Sequence, residues 1–360
     1  MKIHLVGGFL GSGKTTAITN SSKVLLNKGI KTSVITNDQG NYLVDTFFIS
    51  QAEIATGEVS GGCFCCNYDE FNSQIDTLKA DINPEVIFAE TVGSCTDLIA
   101  TVLKPLLTYR YSDIEEVTFS SFVDARLLLM HLLKIELPFS FETNYIWEKQ
   151  VEEAEILVVN KFDLLSSDES INVKNLAKKV YPSKKLLFQN SLSSASVSDW
   201  IYVISQPGEK KEHTSIDIDY DIYGAGEANL AWLDEEIEFK SNDNSALKTS
   251  SDFIDNLTNT IIEENLPIGH LKFLLSYNNK SVKISFTTLV EKKKLVIETS
   301  EKVGTVHLIV NARIQSTPEK LRQMVVDEID RLQQIDNISI QEKCVSCFSP
   351  GFPNPTHRFM

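Results

Sequence analysis

Over roughly the first 190 residues, short runs centred on clustered apolar residues alternate with stretches whose apolar residues recur at helical spacing. The runs are 2–7 (KIHLVG), 31–38 (KTSVITND), 85–90 (EVIFAE), 117–125 (VTFSSFVDA), 155–161 (EILVVNK) and 185–190 (KLLFQN). A strand with no polar face is buried on both sides, as in a parallel sheet covered by helices. Helical spacing follows the first run through "SGKTTAITNSSKVLLNKG" to Gly29. It returns at 69–80, 95–107, 126–134 and 170–180. This alternation predicts an α/β domain over residues 1–205 with a mostly parallel sheet.

The pattern changes near residue 206. "QPGEKKEHTS" (206–215) reads as a linker, and "SIDIDYDIYG" alternates apolar with acidic residues, as an exposed acidic edge strand or an extended segment would. Residues 206–227 are therefore expected to be an acidic linker. From 228 the period predicts a strand (ANLAWLDEEIEF), a helix (249–264), paired strands (269–277, 281–288), further strands (293–299, 304–312) and a helix (317–334). This is a smaller α+β domain over 228–335, followed by a Cys- and Pro-rich tail over 336–360.

At 42% hydrophobic and 23% charged, the 360-residue chain has the balance of a globular protein. A net charge of −15 argues against nucleic acid or an anionic membrane as a partner. No apolar run approaches the ~18–20 residues that span a bilayer. The N-terminal stretch runs into a glycine-rich motif rather than a cleavage site, so no signal peptide is expected. A cytoplasmic location follows, in which the six cysteines serve metal or redox chemistry rather than structural disulfides.

"GFLGSGKT" (8–15) matches G-x-x-x-x-G-K-[ST] between a strand and a helix, the setting of a phosphate loop. Gly8, Gly11 and Gly13 let the backbone turn tightly, so that N–H groups and the helix N-terminus face phosphate oxygens. Lys14 is expected at the β and γ phosphates and the Thr15 hydroxyl on Mg²⁺. "NKFD" (160–163) ends a strand. The Asp163 carboxylate can accept two hydrogen bonds from guanine, for which adenine has no matching donor pair. Asn160 is expected to meet the base edge and brace the phosphate loop, and the Lys161 stem to cover the ring. In "AETVGSCTD" (89–97), Glu90 stands where a second acid would meet Mg²⁺ or its waters, and Gly93 could offer its N–H to the γ-phosphate. In "TNDQG" (36–40), Asp38 is a candidate Mg²⁺ or water ligand, with a plain Asx-turn as the competing reading. The expected nucleotide set is Gly8, Gly11, Ser12, Gly13, Lys14, Thr15, Thr16, Gly93, Asn160, Lys161 and Asp163. The magnesium and catalytic set is Thr15, Asp38 and Glu90.

Half of the cysteines fall in "GGCFCC" (61–66). Cys63, Cys65 and Cys66 are close enough to share one Zn²⁺, Co²⁺, Cu⁺ or similar ion, and three ligands leave a fourth position open. Packed core thiols, a redox loop and a functionless turn are the competing readings. Cys95 is either a fourth ligand or a small buried thiol. In the tail, Cys344, Cys347 and His357 offer a second metal site with an incomplete ligand count. Client docking by the Pro-rich segment, or packing onto the first domain, are alternatives. His270 reads as structural.

"GGFLGSGKTT", "GCFCC" (62–66), "ETVG" (90–93), "FVDA" (122–125) and "QVEEAEILVVNKFDLL" (150–165) together resemble the CobW-like metal-chaperone GTPases, of the CobW/HypB/UreG class. "LAWLD" (230–234) through "PIGHLK" (267–272) is similar to that family's C-terminal domain. The resemblance implies a protein that binds Mg²⁺ and GTP and hydrolyses GTP slowly. It implies delivery of Zn²⁺ or Co²⁺ to a client metalloprotein or cobalamin-related enzyme, and a nucleotide-dependent homodimer. Two departures stand out: "NDQG" replaces the family's "NEFG", and no long His-rich tract is present. Two other readings remain. One is a GTP-dependent activator acting by protein contact, with the tail and the acidic segment 217–238 as docking surface. The other is a P-loop kinase, which "NKFD" opposes.

Overall fold

The structure, a computed structural model, describes residues 1–40, 49, 52–110, 112–206, 213–289, 301–334 and 337–360. They form two compact units. One comprises Met1–Gln39, Asp45–Gly226 and Phe352–Met360, the other Gly40–Val44 and Glu227–Gly351.

The first unit is an α/β layer structure. Its strands are β1 (Lys2–Gly8), β2 (Thr32–Asn37), β3 (Ala55–Val59), β4 (Val86–Glu90), β5 (Glu116–Asp124), β6 (Ile156–Asn160) and β7 (Lys185–Phe188). They make one sheet in the order β3-β2-β4-β1-β5-β6-β7, and every pairing is parallel. Helices α1 (Lys14–Asn27), α2 (Tyr68–Asp81), α3 (Lys104–Tyr109), α4 (Ala125–Leu132), α5 (Phe141–Glu153), α6 (Ser167–Val180) and α7 (Ser194–Ser205) lie between them, and α8 (Tyr220–Ala228) follows. Val6, Ile18, Val34, Phe88, Phe122, Val158 and Trp200 meet in a common core. Buried Trp200 fixes α7 on the sheet and donates its indole N–H to Ser120 Oγ at 3.1 Å. Removing such a ring costs about 3–5 kcal/mol. Helix α6 starts at a capping box between Ser166 and Glu169.

Three elements of this unit differ from the sequence reading. Strand β3, "ATGEV", carries Gly, Thr and Glu because it is an edge strand, so it lacks the apolar run that marks its neighbours. The helix expected over 95–107 is a π-helical turn, Ile99–Leu103, running into α3. Pro105, with no N–H to donate, follows the wider turn. The expected acidic strand or extended linker becomes helix α8 from Tyr220 onward. Tyr223, in α8, packs with Ile146 and Ile218, while the Asp219 carboxylate accepts the N–H groups of Asp221 and Ile222.

The second unit is an antiparallel sheet of β8 (Leu230–Ser241), β9 (Ile268–Tyr277), β10 (Lys280–Phe286), β11 (Thr305–Gln315) and β12 (Ile338–Phe348), ordered β10-β9-β11-β8-β12. Helices α9 (Ala246–Glu263) and α10 (Pro318–Gln333) supply Phe253, Leu257, Leu321 and Val325 to its core. The strand expected at 293–299 lies outside the described residues. The acidic stretch in β8 is no docking surface. Asp234 and Glu235 are fully buried in an interior strand. Asp234 pairs with Arg313 at 2.8 Å, and the guanidinium stacks 3.8 Å from the Trp232 ring centroid. His270 bonds Asn311 at 2.8 Å inside this unit. The tail is two things. Residues 338–348 are the edge strand β12, and Phe352–Met360 return to the first unit. Among the described residues no helix is long and apolar enough to cross a membrane.

Candidate functional site

In a parallel sheet the loops at the carboxyl ends of the strands share one edge, and the crevice there is the usual ligand position. The nucleotide motifs and the cysteine triplet of the sequence fall on that edge. The phosphate loop follows β1, Asp38 follows β2, the three cysteines follow β3, "TVGSC" follows β4, Asp124 ends β5 and "KFD" follows β6.

The phosphate loop turns through left-handed or extended positive φ at Gly8 (119°), Gly11 (70°) and Gly13 (91°). A Cβ on Gly13 would sit 2.4 Å from Asn160 Nδ2, so a side chain there is excluded. That closeness has a purpose. Asn160 Nδ2 donates to the Ser12 carbonyl at 2.7 Å, while its Oδ1 accepts from the Ser191 N–H and hydroxyl at 3.1 and 2.7 Å. One side chain thus ties β6, β7's following loop and the phosphate loop together. Lys14 Nζ donates to the Gly8 and Phe9 carbonyls at 2.7 and 3.3 Å, which holds the ammonium at the loop. The Thr15 hydroxyl donates to Glu90 Oε1 at 2.8 Å. A hydroxyl and a carboxylate sharing one position next to a phosphate loop suit a hard divalent cation such as Mg²⁺. Asp38 donates its N–H to the Val59 carbonyl at 3.2 Å.

Gly93 lies against the phosphate loop, where a Cβ would come 2.7 Å from Leu10 Cδ2 and 3.1 Å from Leu10 Cα. Gln150 holds this segment by donating to the Gly93 and Cys95 carbonyls at 3.0 and 2.8 Å. After β6, Lys161 has φ 58° and its Nζ is 3.2 Å from Asp124 Oδ2. Arg126 donates to both oxygens of the same carboxylate, at 3.0 and 2.7 Å. Burial pushes the Asp124 carboxyl up, but Arg126 and Lys161 outweigh it and hold it below the usual carboxylate range. Asp163 is exposed on the 3₁₀ turn Phe162–Leu164.

The sulfurs of Cys63 and Cys65 are 2.8 Å apart, Cys63 and Cys66 3.1 Å, and Cys65 and Cys66 3.8 Å. A tetrahedral ion at ~2.3 Å from each would need them about 3.8 Å apart, so the loop has to open by no more than about 1 Å. Among the described residues these three form the group whose ligand atoms lie within 4.8 Å of one another. The loop is built for this. Gly61 has φ 72°, and the N–H groups of Cys66 and Asn67 both bond the Cys63 carbonyl, which turns the three side chains together. Hydrogen bonds from Cys65, Cys66 and Cys95 hold Cys63 well below the usual thiol range. Hydrogen bonding to Cys63 and burial push Cys65 up, and Cys66 is raised to about 11.

Two supports of the thiol loop carried no signal in the sequence reading. Asn37, at the end of β2, donates to the Val59 and Gly62 carbonyls at 3.0 and 2.7 Å and accepts the Phe64 N–H at 2.8 Å. The C-terminal segment crosses the loop. The Thr356 N–H donates to the Cys65 carbonyl at 2.8 Å, and its hydroxyl donates to the Cys66 carbonyl at 3.0 Å. His357 meets the Tyr68 ring edge-on and lies tilted against Tyr109, and Arg358 pairs with buried Asp97 at 2.7 Å. The structure does not bring Cys344, Cys347 and His357 into one ligand group. Cys344 and Cys347 are on β12, where the Cys347 thiol donates to the Pro318 carbonyl at 3.2 Å, and His357 sits in the aromatic cluster.

The chain is 29% identical over 171 residues to the zinc chaperone YeiR of Escherichia coli, covering 45% of this chain and 47% of that protein. It is 24% identical over 219 residues to the zinc-regulated GTPase metalloprotein activator 1 of Dictyostelium discoideum, covering 52% and 45%. The chain thus spans about half the length of the curated relatives it matches. Among solved structures, HypB from Helicobacter pylori in complex with nickel is 16% identical, covers 57% of this chain and 85% of that one, and has a TM-score of 0.41. The family model for the CobW/HypB/UreG nucleotide-binding domain matches residues 2–188, just over half of the chain, and so the chain belongs to the CobW/HypB/UreG family.

Proposed function

We propose that the chain is a GTP-dependent metallochaperone, which binds Zn²⁺ or Co²⁺ as cargo on Cys63, Cys65 and Cys66 and delivers it to a client metalloprotein or cobalamin-related enzyme. The observation that carries this reading is the single Asn37 side chain. It holds the thiol loop at Gly62 and Phe64 from the residue beside Asp38, on the edge that carries the phosphate loop. The names of the relatives, a zinc chaperone and a zinc-regulated GTPase, support the same reading.

GTP sits with its phosphates over residues 8–15 and its base at Asp163. Thr15 and Glu90 would hold Mg²⁺, which supplies charge neutralisation at the β and γ phosphates. Gly93 and Asp38 face the terminal phosphate and its attacking water. While that phosphate is present it orders the segments that begin at Asp38 and Thr91. Slow hydrolysis releases them, and the release reaches the thiols through Asn37 on one side and Cys95 on the other. Soft thiolates select Zn²⁺, Co²⁺ or similar ions over Mg²⁺, so the two cations do not compete for one site.

The test is zinc and cobalt titration of wild type and Cys65→Ala in the presence of GTP. The variant should lose metal binding and keep GTP affinity within about threefold. Retention of wild-type metal affinity by Cys65→Ala would remove the metallochaperone reading.

A further inference from the structure

The thiol loop follows β3, the segment with Glu90 and Gly93 follows β4, and in the sheet β2 lies between those two strands. Residues 356–359 join the two loops from outside the sheet. At the thiol loop, Thr356 donates its N–H to the Cys65 carbonyl at 2.8 Å and its hydroxyl to the Cys66 carbonyl at 3.0 Å. Two residues on, Arg358 Nε donates to Asp97 Oδ2 at 2.7 Å. The Phe359 N–H then bonds the Ala100 carbonyl at 2.9 Å, and the Phe359 carbonyl accepts the Ser215 hydroxyl at 2.9 Å. Asp97 is a firm anchor. Its side chain is fully buried, its φ is 62°, and its Oδ2 also accepts the Tyr220 hydroxyl at 2.8 Å. It stands four residues beyond Gly93, in the stretch that starts at Glu90. A segment that only covered apolar surface would need no such bonds. These go to the backbone of two candidate ligands at one end and to a buried carboxylate of the Glu90–Asp97 segment at the other.

We propose that residues 356–359 tie the thiol loop to the Glu90–Asp97 segment, with Thr356 and Arg358 as positioning residues of the cargo site. This rests on the metallochaperone reading above and names a route by which nucleotide state reaches the metal. Removing its cation would leave the buried Asp97 carboxylate uncompensated, so Arg358 stays with Asp97 when the segment shifts. Thr356 is two residues away, a reach of about 7 Å even in extended chain, so little slack separates the two attachments. A shift of the segment on loss of the γ-phosphate is therefore passed to the Cys65 and Cys66 carbonyls. The other end of the loop does not follow, because Asn37 holds Gly62 and Phe64 from β2. The sulfurs of Cys65 and Cys66 then turn relative to Cys63. A site that needs all three on one tetrahedron loosens, and the ion becomes transferable to a client.

The experiment compares zinc affinity with Mg²⁺ and a non-hydrolysable GTP analogue against zinc affinity with Mg²⁺ and GDP, in wild type and Arg358→Gln, by competition with a chromophoric chelator. The quantity read is the ratio of the two affinities, which a loss of stability alone does not move. Wild type should show a ratio of at least about ten, and Arg358→Gln about three or less, the remainder passing through Asn37. Binding of the GTP analogue to the metal-free protein should stay within about threefold, since neither residue touches the phosphate loop. A wild-type ratio in Arg358→Gln would overturn the inference and leave the metallochaperone reading in place. A ratio of one in wild type would overturn both. Thr356→Val serves as the second variant, because it changes an exposed side chain and removes the hydroxyl bond to the Cys66 carbonyl without disturbing the Asp97 pair. Its ratio should fall at least about twofold, and an unchanged ratio would likewise overturn the inference.

Discussion

Asn37 is the side chain on which the coupling between nucleotide and thiols is predicted to depend. Replacing it with alanine removes three hydrogen bonds and leaves the polypeptide path of the loop without its anchor. The Phe64 N–H is the costly loss, because Phe64 is 1% exposed and no water reaches it. An orphaned buried donor costs about 2 kcal/mol, and the partly solvated Gly62 carbonyl adds about 1 kcal/mol. If the loop must be ordered to bind metal, about 3 kcal/mol appears as about a 100-fold loss of zinc affinity, at 1.4 kcal/mol per decade. The assay is a competition titration with a chromophoric zinc chelator, beside GTP binding by fluorescent analogue. GTP affinity should change less than about threefold, since Asn37 touches the thiol loop and not the phosphate loop. Asn37→Asp keeps the acceptor for Phe64 and loses both donors, so it should fall between wild type and alanine. Wild-type zinc affinity in Asn37→Ala would refute the reasoning, because it would mean that the loop orders itself without β2.

Further expectations follow from individual residues. Asp163→Asn replaces a charged acceptor by an amide and should cut GTP affinity about 10- to 100-fold while leaving ATP binding unchanged, measured by equilibrium titration of both nucleotides. Burial pushes the Glu153 carboxyl, which accepts the Ile99 N–H at 2.6 Å, up to about 8. Its folded form therefore binds the proton more tightly than the unfolded chain, so this group's contribution to stability declines as pH rises between about 4.5 and 8. Glu153→Gln should flatten that decline, read from denaturant midpoints across the range, and an unchanged slope would contradict the assignment. Deleting residues 352–360 removes the two Thr356 bonds to the thiol loop. Cys66 should then be alkylated severalfold faster by iodoacetamide in the metal-free protein, and an unchanged rate would show that the segment does not shield it.

The first unit was legible where burial leaves a one-dimensional trace. Strands β1, β2, β4, β5 and β6 are covered on both faces and therefore read as apolar runs. The phosphate loop, "NKFD" and the cysteine triplet were legible because their chemistry is local. What escaped depends on distant pairing. Edge strands β3 and β12 keep a solvent face, so "ATGEV" and "EKCVSC" look like loop. The interior position of acidic Asp234 becomes intelligible only with Arg313, 79 residues away, beside it. Asn37 reads as the neighbour of a candidate magnesium ligand until Phe64, 27 residues on, is folded against it. The docking of Thr356 on residues 65–66, across 290 positions, has no counterpart in composition or spacing.

The central claim is that nucleotide state sets the affinity of the thiol site. It is tested most directly by zinc affinity measured on the same protein sample with Mg²⁺ and a non-hydrolysable GTP analogue, and again with Mg²⁺ and GDP. The account predicts at least about tenfold tighter zinc binding with the GTP analogue, a coupling within the usual 1–3 kcal/mol, and by linkage the same factor in the effect of zinc on analogue binding. Equal zinc affinities in the two nucleotide states would contradict it.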